Sequence, residues 1–196
     1  VDLPYGQTAC KWDIEIDLNE MWKQLKLICK ENCQYVFFTT TKFGYKIIHS
    51  NPNWFRYDLV WEKPSSVGYL SANKMPLRNH EMMYVFKSPK AGVYNPQKTE
   101  GKPYKVKGTE YKNNITDVYG QTERTAHENK TGQRHPKSVL TDIQITDEEE
   151  PKTTIIKENY DKEKLHRTQK PVKLCEWLIK SYSNENDLVL DFCMGS

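Results

Sequence analysis

Apolar positions along this chain repeat in two short periods, broken by one long stretch with neither. Leu18, Met21, Trp22, Leu25, Ile28 and Cys29 recur at three- and four-residue spacing, which predicts an amphipathic helix over 18–30. Asp17, with Glu20 three residues later, has the spacing of a capping box with Asp in place of Ser or Thr. Tyr35–Thr40 is short, aromatic and β-branched, as a buried strand should be. Residues 42–50 predict a short helix ending near Asn51-Pro52. Arg56–Glu62 and Glu81–Phe86 read as two more strands. The order of helix, strand, helix, strand and a further strand after a loop suits an α/β sheet with crossover helices.

Residues 88–165 then lose sustained periodicity and are rich in Lys, Thr, Asn, Glu and Gly, with Tyr94, Tyr104, Tyr111 and Tyr119 scattered among them. A plain loop of that length is unusual inside a compact domain. The expectation is an inserted, partly ordered region with a linker near Asp147–Pro151. Order returns at Pro171, which is suited to open a helix because its fixed φ fits and no needed amide donor is lost. Val172, Cys175, Leu178, Ile179 and Tyr182 form the apolar face predicted for that helix. Asn184–Asp187 reads as a turn, and Leu188–Phe192 as an apolar strand of the type a parallel sheet buries.

Length changes this picture little: 196 residues can bury a real core, as one domain or one domain with an insert. The formal net charge of +3 does not by itself call for a polyanionic partner. Its distribution says more, since Lys87–Lys137 holds eleven Lys/Arg against five Asp/Glu, whereas Thr141–Glu150 is acidic. A basic, Tyr-rich segment suits either a DNA-facing surface or a solvated loop region. The five cysteines form no CxxC pair and lack histidines at finger-like spacing, so reduced thiols in a cytoplasmic protein are expected, with no metal. Membrane association is not expected, because no run approaches the ~18 apolar residues of a span.

Candidate chemistry sits at the two ends. Asp2-Leu3-Pro4-Tyr5 offers a carboxylate, a stiff proline carbonyl and an aromatic ring within four residues. With Gly6 it also has the composition of a plain turn. Arg78-Asn79-His80-Glu81 precedes the Met82–Phe86 strand, where Asn and His suit a base edge and Arg a phosphate, or the segment is simply a polar strand entry. His166-Arg-Thr168-Gln169-Lys170-Pro171 leads into the last helix, and Asp191-Phe192-Cys-Met-Gly195-Ser196 follows the last apolar run.

Together these four segments, in this order, resemble the N6-adenine/N4-cytosine DNA methyltransferases whose catalytic motif precedes the cofactor motif. The resemblance covers residues 1–90 and 165–196, and Leu3 departs from it where the family usually has Pro. It implies a Rossmann-like S-adenosylmethionine-dependent methyltransferase sheet, incomplete at both ends, interrupted by the polar insert. Because the chain opens inside the first motif without a Met and closes inside the last, the expectation is a piece of a longer enzyme. By resemblance, residues 1–90 are the catalytic half, 91–164 the target-recognition region, and 165–196 the start of the cofactor-binding half. Asp2, Pro4 and Tyr5 would be catalytic. Thr168, Gln169, Lys170, Pro171, Asp191, Phe192, Gly195 and Ser196 would hold S-adenosylmethionine, and Arg78, Asn79 and His80 would line the target-base pocket or meet DNA. The implied partner is double-stranded DNA, and the implied product an N6-methylated adenine. An N4-cytosine enzyme and a non-catalytic DNA-binding protein of the same fold are the alternatives. Oligomeric state stays open, a homodimer included.

Overall fold

The computed structural model describes residues 1–90, 92–108, 126–141 and 169–195, with the backbone alone of 115–116 and 120–121. Helix α1 (Leu18–Ile28) starts where Asp17 accepts the amides of Asn19 and Glu20 at 2.8 and 3.1 Å. The return arm of the capping box does not form, because the Glu20 carboxylate accepts from Lys23 Nζ and Gln24 Nε2 instead. Strand β1 (Gln34–Thr39) leads to α2 (Thr41–Ser50), capped by Thr40 Oγ1 on the Phe43 amide. Strands β2 (Phe55–Val67) and β3 (Arg78–Lys87) run beyond the apolar runs that predicted them, as two arms of one long hairpin.

Among the described residues four strands make the sheet, in the order β1, β3, β2 and β8 (Val139–Leu140). Both β1 and β2 are antiparallel to β3, so they are parallel to each other, and β8 is parallel to β2. On the other side of β1, Asp2 makes a parallel bridge to Phe38, while Val1 N donates to Val36 O and Phe38 N to Val1 O. The result is a mixed α/β unit in which β3 alone, among these strands, runs against the others.

Alternation along the strands gives the sheet two apolar faces. Tyr35 and Phe37 of β1 join Tyr84 and Phe86 of β3 on one face, covered by Met21, Trp22 and Leu25 of α1 and by Phe43 and Ile47 of α2. Trp22 centres this layer, edge-on to Tyr35 and Phe37, with its indole N–H on Ser50 Oγ at 2.8 Å. Phe38, Met83, Val85, Leu59 and Trp61 form the opposite face, covered by Leu174, Trp177 and Leu178 of helix α3 (Val172–Tyr182). Burial on both sides is why β1 and β3 read as nearly unbroken apolar runs.

Three expectations at the C-terminal end need correction. Pro171 is the N-cap of α3 with ψ 134°, not its first helical residue. The buried stripe is Leu174, Trp177, Leu178 and Ser181, while Val172 and Ile179 face outward. Periodicity offered two stripes about one residue apart, and the sheet took the one bearing the large tryptophan. Leu188–Phe192 is not a strand: among the described residues it pairs with none, and Leu188 is 98% exposed. An apolar run becomes a strand only where another backbone satisfies its amides and carbonyls. The turn before it does form, with Asp187 N on Asn184 O and Asn184 N on the Asp187 carboxylate.

Pro96–Pro136 is a second compact unit. In it β4 (Tyr104–Val106) pairs antiparallel with β7 (His127–Asn129), and β5 (Ile115–Thr116) with β6 (Gly120–Gln121). Thr99 bridges Arg134, whose guanidinium lies 4.4 Å from the centre of the Tyr104 ring. The linker expected near Asp147–Pro151 lies outside the described residues, and no helix among the described ones is long and apolar enough to cross a membrane.

Candidate active site

Asp2 sits at the edge of β1, at the end where that strand runs into α2. Ligands of open α/β sheets gather at the carboxyl ends of parallel strands, where loops and helix starts converge. Leu3 is 2% exposed and packs in the core with Phe37 and Phe43. It therefore anchors the loop by burial, where a second proline would act by stiffness. Beyond it Tyr5 lies against Phe43, rings 5.1 Å apart, and its hydroxyl donates to Asp2 Oδ1 at 2.6 Å. Burial, then the Asp2 charge and this hydrogen bond, push the Tyr5 phenol well above its ordinary range, so it remains a neutral donor.

Asp13 fastens the rest of the loop. Its carboxylate accepts the amides of Gly6, Gln7 and Thr8 at 2.9, 2.9 and 2.7 Å. Gly6 has φ +63°, the left-handed conformation that lets three successive amides converge on one side chain. Asp13 is held down at about 2, chiefly by the Thr8 side chain; burial opposes this and the three amides add to it. Because its folded pKa lies below the ordinary 3.8, its contribution is complete above that value and is lost as pH falls through about 2. Asp13→Ala should cost about 2 kcal/mol in denaturant unfolding at pH 7, the scale of charge-assisted hydrogen bonds. Unchanged stability would show that the loop holds itself.

The other end of the chain reaches the same place. Lys170 Nζ lies 2.9 Å from Asp2 Oδ2 and 3.0 Å from Glu81 Oε2, with the Phe38 ring centre 5.0 Å away. Glu81 in turn meets Lys63 Nζ through Oε1 at 3.0 Å. Side-chain exposures of 11% for Lys63, 15% for Lys170, 24% for Glu81 and 29% for Asp2 leave the row only partly screened by solvent. Burial alone would lower the Lys170 pKa, but the carboxylates of Asp2 and Glu81 raise it above the ordinary value. For Glu81 burial works upward and is outweighed by Lys170 and Lys63, so its pKa falls. Cys193, within the Asp191–Gly195 segment, packs against the cluster that contains Leu3. Asp191 Oδ1 accepts the Cys193 amide at 2.9 Å.

The expected site residues thus divide. Asp2 is in direct contact with both Tyr5 and Lys170, and Pro4 lies between Asp2 and Tyr5 in the chain. Gln169 and Pro171 flank Lys170, and Asp191, Phe192 and Gly195 form an exposed turn. Arg78 is exposed, and Asn79 gives its amide to Glu62 at 3.2 Å. No described hydrogen bond or ion pair joins Arg78, Asn79 or His80 to Asp2, Tyr5 or Lys170. Thr168 and Ser196 lie outside the described residues. The member of the 78–81 segment that reaches the cluster is Glu81. Alternation carried the signal, since Glu81 shares the sheet face of Met83 and Val85, on which α3 packs.

An acidic, proline and aromatic loop at the carboxyl end of β1 is thus joined to a lysine from a distant segment of the chain. A family described as DNA methylases, of the N6-adenine/N4-cytosine type, matches residues 2–196, and the chain belongs to that family. Membership makes methyl transfer the reaction class and DNA the substrate. No curated protein matches the chain.

Proposed function

We propose that this chain carries the catalytic loop of an S-adenosylmethionine-dependent DNA methyltransferase that modifies N6 of an adenine extruded from double-stranded DNA, on a Rossmann-like sheet. The observation that supports this most is the Asp2 carboxylate, set at the sheet edge beside Pro4 and Tyr5 and fixed by Lys170. Each carboxylate oxygen has two lone pairs, so with Tyr5 on one oxygen and Lys170 on the other Asp2 can still accept an amino hydrogen. The Pro4 carbonyl would accept the second hydrogen. Two acceptors on one amino group draw its nitrogen from the ring plane and direct its lone pair outward, and orientation of this kind supplies much of the rate. A base must leave the duplex to reach such a site, and the Tyr5 ring is its stacking partner.

The residues present fit the donor in part. Gly195 has φ +74°, and none of the described residues stands where its side chain would, which lets a ligand approach the backbone closely. Asp191, Phe192 and Gly195, with Gln169, would hold S-adenosylmethionine, whose chemistry is a methyl group on a positively charged sulfur. Lys170, engaged by two carboxylates, is not free to serve as a simple ligand for the donor's own carboxylate.

Incubating the intact enzyme with methyl-labelled S-adenosylmethionine and duplex DNA, then digesting to nucleosides, tests the reading. Label in N6-methyladenine is expected. Label in N4-methylcytosine would favour the cytosine alternative, and DNA binding without label would favour a non-catalytic protein. Residues 91–164 are the proposed target-recognition region, their basic part meeting phosphates. Exchanging them for a relative's segment should change the methylated sequence, and an unchanged target would place specificity elsewhere.

A further inference from the structure

Lys63 belongs to none of the motifs and Glu81 closes the Arg78–Glu81 segment, yet together they continue the charged row that ends on Asp2. The row alternates in sign, Lys63, Glu81, Lys170, Asp2, with links of 3.0, 3.0 and 2.9 Å. Its construction follows from the hairpin. Glu81 on β3 pairs in register with Trp61 on β2, and Lys63 lies two residues further along β2, on the same face as Trp61. That face is the one α3 covers, and Lys170 lies just before α3. Beyond the apolar patch of Trp61 and Met83, the same face becomes a charged end directed at the Asp2 edge.

We propose that Glu81, braced by Lys63, is a positioning residue that holds the Lys170 ammonium on Asp2 Oδ2, so that the carboxylate presents its free lone pairs to the substrate amino group. Glu81 Oε2 is buried, and the Lys170 ammonium 3.0 Å away is its partner. Two ammonium groups converge on this one carboxylate. Without its charge Lys63 and Lys170 would repel, and the lysine would keep only the more exposed Asp2. A long, flexible lysine held at one point samples many rotamers, whereas one held at two points does not. The inference rests on the proposed methyltransferase reading and adds to it the reason a carboxylate at 81 is needed.

The test uses steady-state methyl transfer by the intact enzyme with labelled S-adenosylmethionine and duplex DNA, with donor affinity measured by calorimetry. Glu81→Gln should lower kcat by about 10–100-fold, the loss a displaced catalytic group produces. KM for DNA and the donor Kd should stay within about threefold, a small change in free energy. The alkaline limb of its pH profile should move to lower pH, because Lys170 has lost one of its anions. Lys63→Arg should retain most of the wild-type kcat, and Lys63→Met should show a weaker form of the Glu81→Gln pattern. Should Glu81→Gln fail to fold, the two Lys63 variants read the same split. Unchanged kcat in Glu81→Gln, or equal values for Lys63→Met and Lys63→Arg, would overturn the proposal. So would donor affinity weakened tenfold at normal kcat, which would put Lys170 on the donor. Absence of transfer by the wild-type enzyme is a different result, and would count against the methyltransferase reading itself.

Discussion

Asp2→Ala in the intact enzyme is expected to lower methyl transfer by about 10²–10³-fold or more, the range seen when a group that stabilises the reacting centre is removed. DNA affinity should hardly change, because sequence-independent affinity comes from cations on phosphates and Asp2 is an anion. The Ala variant takes away the acceptor of the Tyr5 hydroxyl and one of the two anions on Lys170. Glu81 still holds that lysine, so the local fold should survive. Single-turnover kinetics and a filter-binding titration on the same preparations separate the two effects. An active Asp2→Ala enzyme would refute the catalytic assignment, and a loss of transfer matched by an equal loss of DNA affinity would turn Asp2 into a binding residue.

Lys170→Met should lower stability by about 2 kcal/mol. Removing one member of a buried pair costs about 3–5 kcal/mol, but Asp2 is 29% exposed and Lys63 remains on Glu81. The sign of the pH dependence follows from the two directions. Glu81 has its folded pKa below the ordinary 4.5, so its contribution is complete above that value and fades as pH falls through the folded pKa. Lys170 has its folded pKa above the ordinary 10.5, so its contribution is complete below that value and fades as pH rises through the folded pKa. Between about pH 5 and 10 the wild-type advantage over Lys170→Met should be flat, narrowing at both ends. Denaturant unfolding across this range reads it directly. A difference near zero at pH 7 would mean that desolvation cancels the attraction.

Much of the fold was legible because local rules and packing agreed. Asp17 marked the start of α1, and the aromatic runs marked β1 and β3, since a sheet covered on both faces must be apolar throughout. Where sequence reading fell short, the deciding partner lay elsewhere in the chain. The α3 stripe was set by where Trp177 could be buried, and the apolar run at 188–192 found no backbone to pair with among the described residues. The candidate site behaved likewise. The acidic, proline and aromatic loop could be read from four letters. The roles of Asp13, Glu81 and Lys63 could not, because they depend on a loop closing on itself and on the cross-strand register of a hairpin.

Whether the Asp2 carboxylate receives the amino group of an extruded base is the centre of this account, and a crystal structure of the intact enzyme with target DNA and a non-reactive analogue of S-adenosylmethionine tests it most directly. The account predicts the target amino nitrogen within about 3.2 Å of an Asp2 carboxylate oxygen and of the Pro4 carbonyl, at hydrogen-bond distance, with Lys170 still on Asp2. An extruded base whose amino group bonds elsewhere, while Asp2 keeps only Tyr5 and Lys170, would contradict it.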